Sequence, residues 1–298
     1  MANPVSEETL LQLGKYAAVT LAGEAALLLG VPVATDLGGF EQATCKLDFD
    51  CEVEGEVCAI SLVVKAARQA EIRILQQLRY DCVPAIPEYL GSIEAGGTEY
   101  LLMPFYDGRV LDFGDDIPKP VLSMLAHIHT EYEENYQHLD YLPVADETYL
   151  TRLIDTASKC VREFPKAASI MEDVRSNADV LYTMLLESPM TLIQGDVHPG
   201  NIIQLPDHAV LIDWGNVRIG PRTLDLANIT STQDDAWRFY LSESERFGTS
   251  LGADEMLMNH VWASAIVNLI YLPYGAQSGN EAIAEKMTGH VMSVIQQL

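Results

Sequence analysis

One stretch narrows the choice of fold more than any other: QGDVHPGNIIQLPDHAVLIDWG, residues 194–215. Asp196, Asn201 and Asp213 stand there in a run otherwise rich in Ile, Leu and Val. Residues 201–205 and 209–213 flank Pro206-Asp207-His208, a turn signal, and so predict a short hairpin. If the hairpin is symmetric about that turn, Asn201 faces Asp213. Directly opposed residues in an antiparallel pair have Cβ atoms about 4.5–5.5 Å apart, close enough for an amide oxygen and a carboxylate to share one small hard cation. Asp196 lies five residues upstream of Asn201, in the loop that leads into the first strand. The competing reading makes all three polar residues turn caps, a common use of Asp and Asn. It requires three spaced residues to coincide.

A site that holds a cation for phosphates also needs a basic side chain, and Lys65 closes the strand-like segment VCAISLVVK. Alternation places Lys65 on the face of Val63, Ser61 and Ala59, with Leu62 and Val64 on the other. A lysine taken out of water at the end of an apolar strand needs a partner. Glu71 is the candidate, because it precedes Ile74 and Leu75 by one helical turn and shares their inward face. The alternative is an exposed lysine and an exposed glutamate at a helix start. Gly38 and Gly39 fall between a helix and a strand, where backbone N–H groups can approach phosphates closely. Neither G-x-G-x-x-G nor a P-loop is present.

Along the chain, residues 6–29 predict one long helix or two short ones, with Ser6 as N-cap and residues 30–32 as terminator. The segments ATCKLDF, VCAISLVVK, PEYLGSIE and TEYLLMPF read as strands, with RQAEIRILQQL a short amphipathic helix among them. After Pro104 the pattern turns helical, over residues 120–136, 148–164 and 167–187, and again after the hairpin. Strands first and helices later predict an α+β fold in two lobes, residues 1–103 and residues 104–298, with MPFYDG (103–108) as the hinge. His127 and His129 face different ways on their helix and form no ligand pair. Residues 256–280 contain no Asp, Glu, Lys or Arg, but His260, Asn268 and Pro273 interrupt them, which favours a buried helix over a membrane span.

Forty-three acidic residues against 18 basic ones give a formal charge of −25, spread over both parts of the chain. That excess argues against nucleic acid or an anionic membrane as partner. Five cysteines form no C-x-x-C pair and, being odd in number, leave at least one thiol free. A reducing cytoplasm is the simplest setting, and the acidic start MANPVSEE lacks the basic character of a secretory signal.

Asp196, Asn201 and Asp213 follow the order of parts in a protein-kinase catalytic loop and its metal aspartate. With GGFEQAT, VVK and Glu71, EYLLMPFYDG, QGDVHPGN, IDWG and GPRTLDLA, the chain resembles the aminoglycoside phosphotransferase and choline kinase family from about residue 37 to residue 227. These are small-molecule kinases with a protein-kinase-like fold: an N-terminal antiparallel sheet lobe that binds nucleotide and a larger, mostly helical C-terminal lobe. The resemblance implies ATP or GTP and Mg²⁺ as cofactors and a small hydroxyl-bearing molecule as acceptor. It implies that Asp196 takes the acceptor's proton, that Asn201 and Asp213 hold magnesium, and that Lys65, positioned by Glu71, steadies the phosphates. Gly38, Gly39, Met103 and Phe105 would complete the nucleotide site. Asp225 would support the catalytic loop from behind, and His198 would pack it. Gln194 departs from the family, which usually has histidine there; glutamine can still donate and accept. Asp234 and Asp235 would hold an acceptor amine, or else mark a solvated helix end. The alternative in another class is a catalytically inactive nucleotide-binding protein acting through partners. A kinase acting on proteins lacks support, because no A-P-E segment follows IDWG.

Overall fold

The computed structural model describes residues 5–38 and 43–298. Ser6 caps α1 (Glu7–Ala22) as expected, its hydroxyl accepting from the Thr9 amide at 3.2 Å. The helix does not reach residue 29. Gly23, at φ 95°, ends it by donating to the Val19 carbonyl, and LLLGVPVATD then forms an edge strand, β1 (Leu27–Asp36). Gly30 and Pro32 sit in a register shift between Leu29 and Val33 rather than at a helix end. An edge strand tolerates them because a bulge there leaves few ladder donors to satisfy. Gly14 lets α1 approach this strand: a Cβ there would fall 2.5 Å from Pro32 Cγ.

The next elements follow the expected order: β2 (Thr44–Val53), β3 (Glu56–Ala66), α2 (Gln69–Tyr80), β4 (Gly91–Ala95) and β5 (Thr98–Pro104). All pairings are antiparallel, in the order β1-β2-β3-β5-β4. Leu10, Leu13 and Ala17 of α1 share a core with Leu47 and Cys51 of β2, Leu62 and Val64 of β3 and Leu102 of β5. Leu62 and Val64 are buried while Ala59 and Ser61 are exposed, as period-2 alternation requires.

The chain continues through β6 (Arg109–Val110), α3 (Lys119–Glu131), α4 (Glu147–Cys160), α5 (Pro165–Ser176), α6 (Asp179–Glu187), β7 (Met190–Ile193), β8 (Ile202–Gln204), β9 (Ala209–Leu211) and β10 (Arg218–Pro221). It ends in α7 (Thr223–Leu226), α8 (Asp235–Phe247), α9 (Ala253–Gln277) and α10 (Glu281–Gln297). The single helix expected over residues 167–187 is two, because Asn177 turns its amide back onto the Asp173 carbonyl at 2.8 Å and stops α5. Asp234 caps α8, accepting from the Trp237 amide at 2.8 Å, and Asp235 pairs with Arg238. Both residues thus mark the start of α8. Among the described residues no helix is long and apolar enough to cross a membrane.

Two compact units result. One runs to Val110 and includes Ile202–Gly215; the other comprises Leu111–Asn201 and Asn216–Leu298. In the first, β6, β8 and β9 form a small antiparallel sheet. Its hairpin pairs Ile202 with Leu211, Ile203 with Val210 and Gln204 with Ala209. This register is one residue away from that expected, so Asn201 and Asp213 are not a directly opposed pair. The cause is the turn, which is even rather than centred on Asp207: the Leu205 amide donates to the His208 carbonyl at 2.9 Å around Pro206 and Asp207. Asn201 instead ends a 3-10 turn, Pro199–Asn201. In the second unit, Leu150 and Ile154 of α4, Val174 of α5, Leu181 of α6, Trp262 and Ile266 of α9 and Val291 of α10 build the main core.

Candidate active site

In the first unit, pairing of β3 with β2 and β5 sets Lys65 between Thr44 and Leu101. Its Nζ donates to Glu71 Oε1 at 2.7 Å and to Asp213 Oδ1 at 2.6 Å. Lys65 is 6% exposed and Glu71 2%, whereas the Asp213 side chain is 48% exposed. The cluster is thus closed on the glutamate side and open at the aspartate. Burial pulls the Lys65 ammonium down, but the carboxylates of Glu71 and Asp213 outweigh it and hold its pKa above the ordinary lysine value. Asp213 adopts φ 59°, left-handed backbone that Asp tolerates better than most residues. Gly215 follows closely: a Cβ there would lie 3.3 Å from Asp213 Oδ1 and 3.5 Å from Lys65 Nζ.

The other residues expected on the nucleotide side have separate surroundings. Gly38, at φ 79°, is exposed and donates its amide to Asp36 Oδ1 at 2.8 Å. Gly39 lies outside the described residues. Met103 is buried and pairs with Val63 across β3 and β5. Phe105 is half-buried, with Lys46 Nζ 4.7 Å from its ring centroid.

In the second unit the loop after β7 is braced from beneath by Asp225, which is fully buried. Asp225 Oδ2 accepts the Gln194 amide and Oδ1 the Gly195 amide, each at 2.8 Å. His129 Nε2 completes the set at 3.2 Å from Oδ2, and Tyr240 lies 2.9 Å from its Nδ1. One imidazole proton on Nε2 satisfies both contacts, with Tyr240 donating. Desolvation keeps the His129 pKa below the usual histidine value. Gln194, the departure from the family pattern, accepts the Asp196 amide on Oε1 at 2.7 Å. It therefore braces the loop from its own side chain. His198 stacks on Phe113 with ring centroids 5.8 Å apart, which fits loop packing.

Asp196 is half-buried. Its Oδ1 accepts from the Tyr271 hydroxyl at 2.6 Å and its Oδ2 from Asn216 Nδ2 at 3.4 Å. Asn201 donates Nδ2 to the Asp196 carbonyl at 3.0 Å. The structure thus gathers Lys65, Glu71 and Asp213 into one cluster and Asp196, Asn201 and Asp225 into another. Sequence reasoning missed Asn216, Tyr271 and Asn228. Asn216 follows Asp213 by only three residues, but Tyr271 lies in an apolar helix with no local signal to single it out.

Residues 60–254 match the family model described as the phosphotransferase enzyme family, APH, which is about two thirds of the chain. The chain belongs to the phosphotransferase enzyme family. No curated protein sequence matches this phosphotransferase. Solved structures do. A spectinomycin phosphotransferase, APH(9)-Ia, in complex with ADP and spectinomycin is 13% identical with a TM-score of 0.53, over 99% of this chain and 100% of that one. A macrolide 2'-phosphotransferase type I is 16% identical with a TM-score of 0.56, over 96% and 98%. Choline kinase from Cryptosporidium parvum is 11% identical with a TM-score of 0.59, over 90% of both chains. At such identities the likeness is one of fold. The phosphotransferase accordingly has the protein-kinase-like α+β fold, with an antiparallel sheet at the N-terminal end and helices toward the C-terminus.

Proposed function

We propose that the chain is a small-molecule kinase that moves the γ-phosphoryl group of ATP or GTP to a hydroxyl of an aminoglycoside-like, amino-alcohol or other small polar acceptor, with Mg²⁺. The observation that carries this reading is the Lys65–Glu71–Asp213 cluster. A lysine held by a buried glutamate and presented beside a half-exposed aspartate is what a phosphate-binding cation and a metal carboxylate require. Solved relatives of the same fold include complexes with ADP and spectinomycin and with GDP and kanamycin, which supports a nucleotide and a small polar acceptor.

Asn201 and Asp213 are assigned to magnesium. The donor set fits: both offer hard oxygens, and the Asn201 amide nitrogen is already spent on the loop backbone. Among the described residues no group of three or more His, Cys, Asp or Glu side chains is gathered for a metal. Two protein ligands suit an ion that takes its remaining oxygens from phosphates and water. When bound, the ion neutralises phosphate charge. The acceptor oxygen forms its bond to the γ-phosphorus as the bridging P–O bond breaks, its proton passes to Asp196, and the nucleoside diphosphate leaves with the bridging oxygen. Lys65 steadies the phosphates while Glu71 holds the amine in place. All five cysteines are free thiols, which suits a reducing cytoplasm.

The test is magnesium-dependent nucleotide turnover against amino sugars, choline-like alcohols, homoserine and neutral sugars, with Asp196→Asn as control. Turnover with at least one acceptor, reduced by about 10²-fold or more in the variant, is expected. Undiminished turnover by Asp196→Asn would remove the carboxylate from its role, and tight nucleotide binding without transfer to any acceptor would favour a binding-only protein.

A further inference from the structure

α9 carries a phenol onto the group assigned as proton acceptor. Tyr271 donates its hydroxyl to Asp196 Oδ1 at 2.6 Å and accepts from Asn228 Nδ2 at 3.3 Å. The same Asn228 nitrogen donates to the Val197 carbonyl at 3.0 Å, which ties the phenol to the catalytic loop itself. A general base must stand about 2.6–3.2 Å from the oxygen whose proton it takes. The Tyr271 oxygen therefore occupies a position that an acceptor hydroxyl needs. Burial, reinforced by the charge of Asp196, pushes the phenol well above the ordinary tyrosine pKa, so it remains a donor at every working pH.

We propose that Tyr271 stands in for the acceptor hydroxyl: it occupies Asp196 Oδ1 when no acceptor is bound, keeps water from being activated there, and yields to the acceptor. The proposal rests on the kinase reading above. Yielding has a local basis in Pro273, two residues on. It lacks the N–H that would bond the Leu269 carbonyl, so α9 is weakened beside Tyr271. Tyr274, one turn on, is half-exposed, and its ring lies 6.2 Å from that of Tyr271. Deleting the hydroxyl would leave room for about one water, with Asn228 to donate to it and Asp196 to accept from it. Such a water would be held against the base.

The experiment is release of inorganic phosphate from ATP and from GTP by the full chain with Mg²⁺ and no acceptor, comparing wild type, Tyr271→Phe, Asp196→Asn and the double variant. Nucleotide binding is followed in parallel by calorimetry. The expected result is a rise on the order of tenfold in acceptor-independent hydrolysis for Tyr271→Phe, below the ~10²–10⁴ that a base positioned on its proper substrate supplies. Nucleotide affinity should be unchanged, and the rise should vanish in the double variant. A merely structural tyrosine would lower hydrolysis and thermal stability together. Unchanged or reduced hydrolysis in Tyr271→Phe, or a rise that survives Asp196→Asn, overturns the proposal while leaving the kinase reading intact. Failure of the wild type to bind either nucleotide overturns both. Tyr271→Leu, which also lacks the hydroxyl, serves if the Phe variant does not fold.

Discussion

At the scale of single residues, Lys65 is the informative one because it is buried and charged at once. Its ammonium satisfies two carboxylates, one of them almost wholly out of water. Lys65→Met leaves Glu71 as a buried, unpaired charge, and breaking a buried pair by removing one partner costs about 3–5 kcal/mol. The double variant Lys65→Met with Glu71→Gln removes the charge as well as its partner, so stability should return in chemical denaturation while phosphotransfer stays low, by on the order of 10²-fold. Recovery of activity along with stability would mean that the lysine serves the fold and not the nucleotide. Asp225 is its counterpart in the second unit. It touches no reacting group, yet it fixes the backbone of Gln194 and Gly195 and so the position of Asp196.

At the scale of elements, the loop proposed to carry catalysis depends on a close passage that only glycine permits. Gly195 adopts φ 84°, and a Cβ there would collide with the Asn216 carbonyl. Both the strain and the collision are backbone effects, and no side-chain rearrangement relieves them. Gly195→Ala should therefore lower the melting temperature and shift the Asp225 bonds together with the loop, with activity falling more than nucleotide affinity. Calorimetry beside a turnover assay separates the two. The β8–β9 hairpin teaches the complementary lesson. Its existence is written in NIIQLPDHAVLID, but its register depends on whether the turn is odd or even, and Leu205–His208 hydrogen bonding makes it even.

At the scale of the whole molecule, the stability curve in the acid range should be shaped by histidines. Burial lowers the pKa of His129 and His260, and partial desolvation lowers that of the exposed His290. Each takes up its proton at a lower pH in the folded chain than in the unfolded one, where uptake begins as pH falls through ~6.5. The unfolded state then binds more protons, so stability is flat above that pH with respect to these groups and declines below it. His129→Gln should reduce the acid slope by at most one proton, about 1.4 kcal/mol per pH unit, in denaturant titrations at pH 5–7. An unchanged slope would show that His129 is already protonated against Asp225.

The order of chemistry-bearing parts was legible in the linear chain because loop and turn motifs are local: QGDVHPGN, IDWG and the lysine ending an apolar strand carry their spacing with them. Alternation in VCAISLVVK likewise assigned the faces of β3. Contacts between distant segments were not legible. Nothing in LLLGVPVATD distinguishes an edge strand from a helix end until β2 pairs with it and tolerates its bulge. Lys65 meeting Asp213 across 148 residues, His129 reaching Asp225 and Tyr271 reaching Asp196 all follow from which surfaces pack. Packing is set by the burial of many side chains together. It has no local period for a sequence to display.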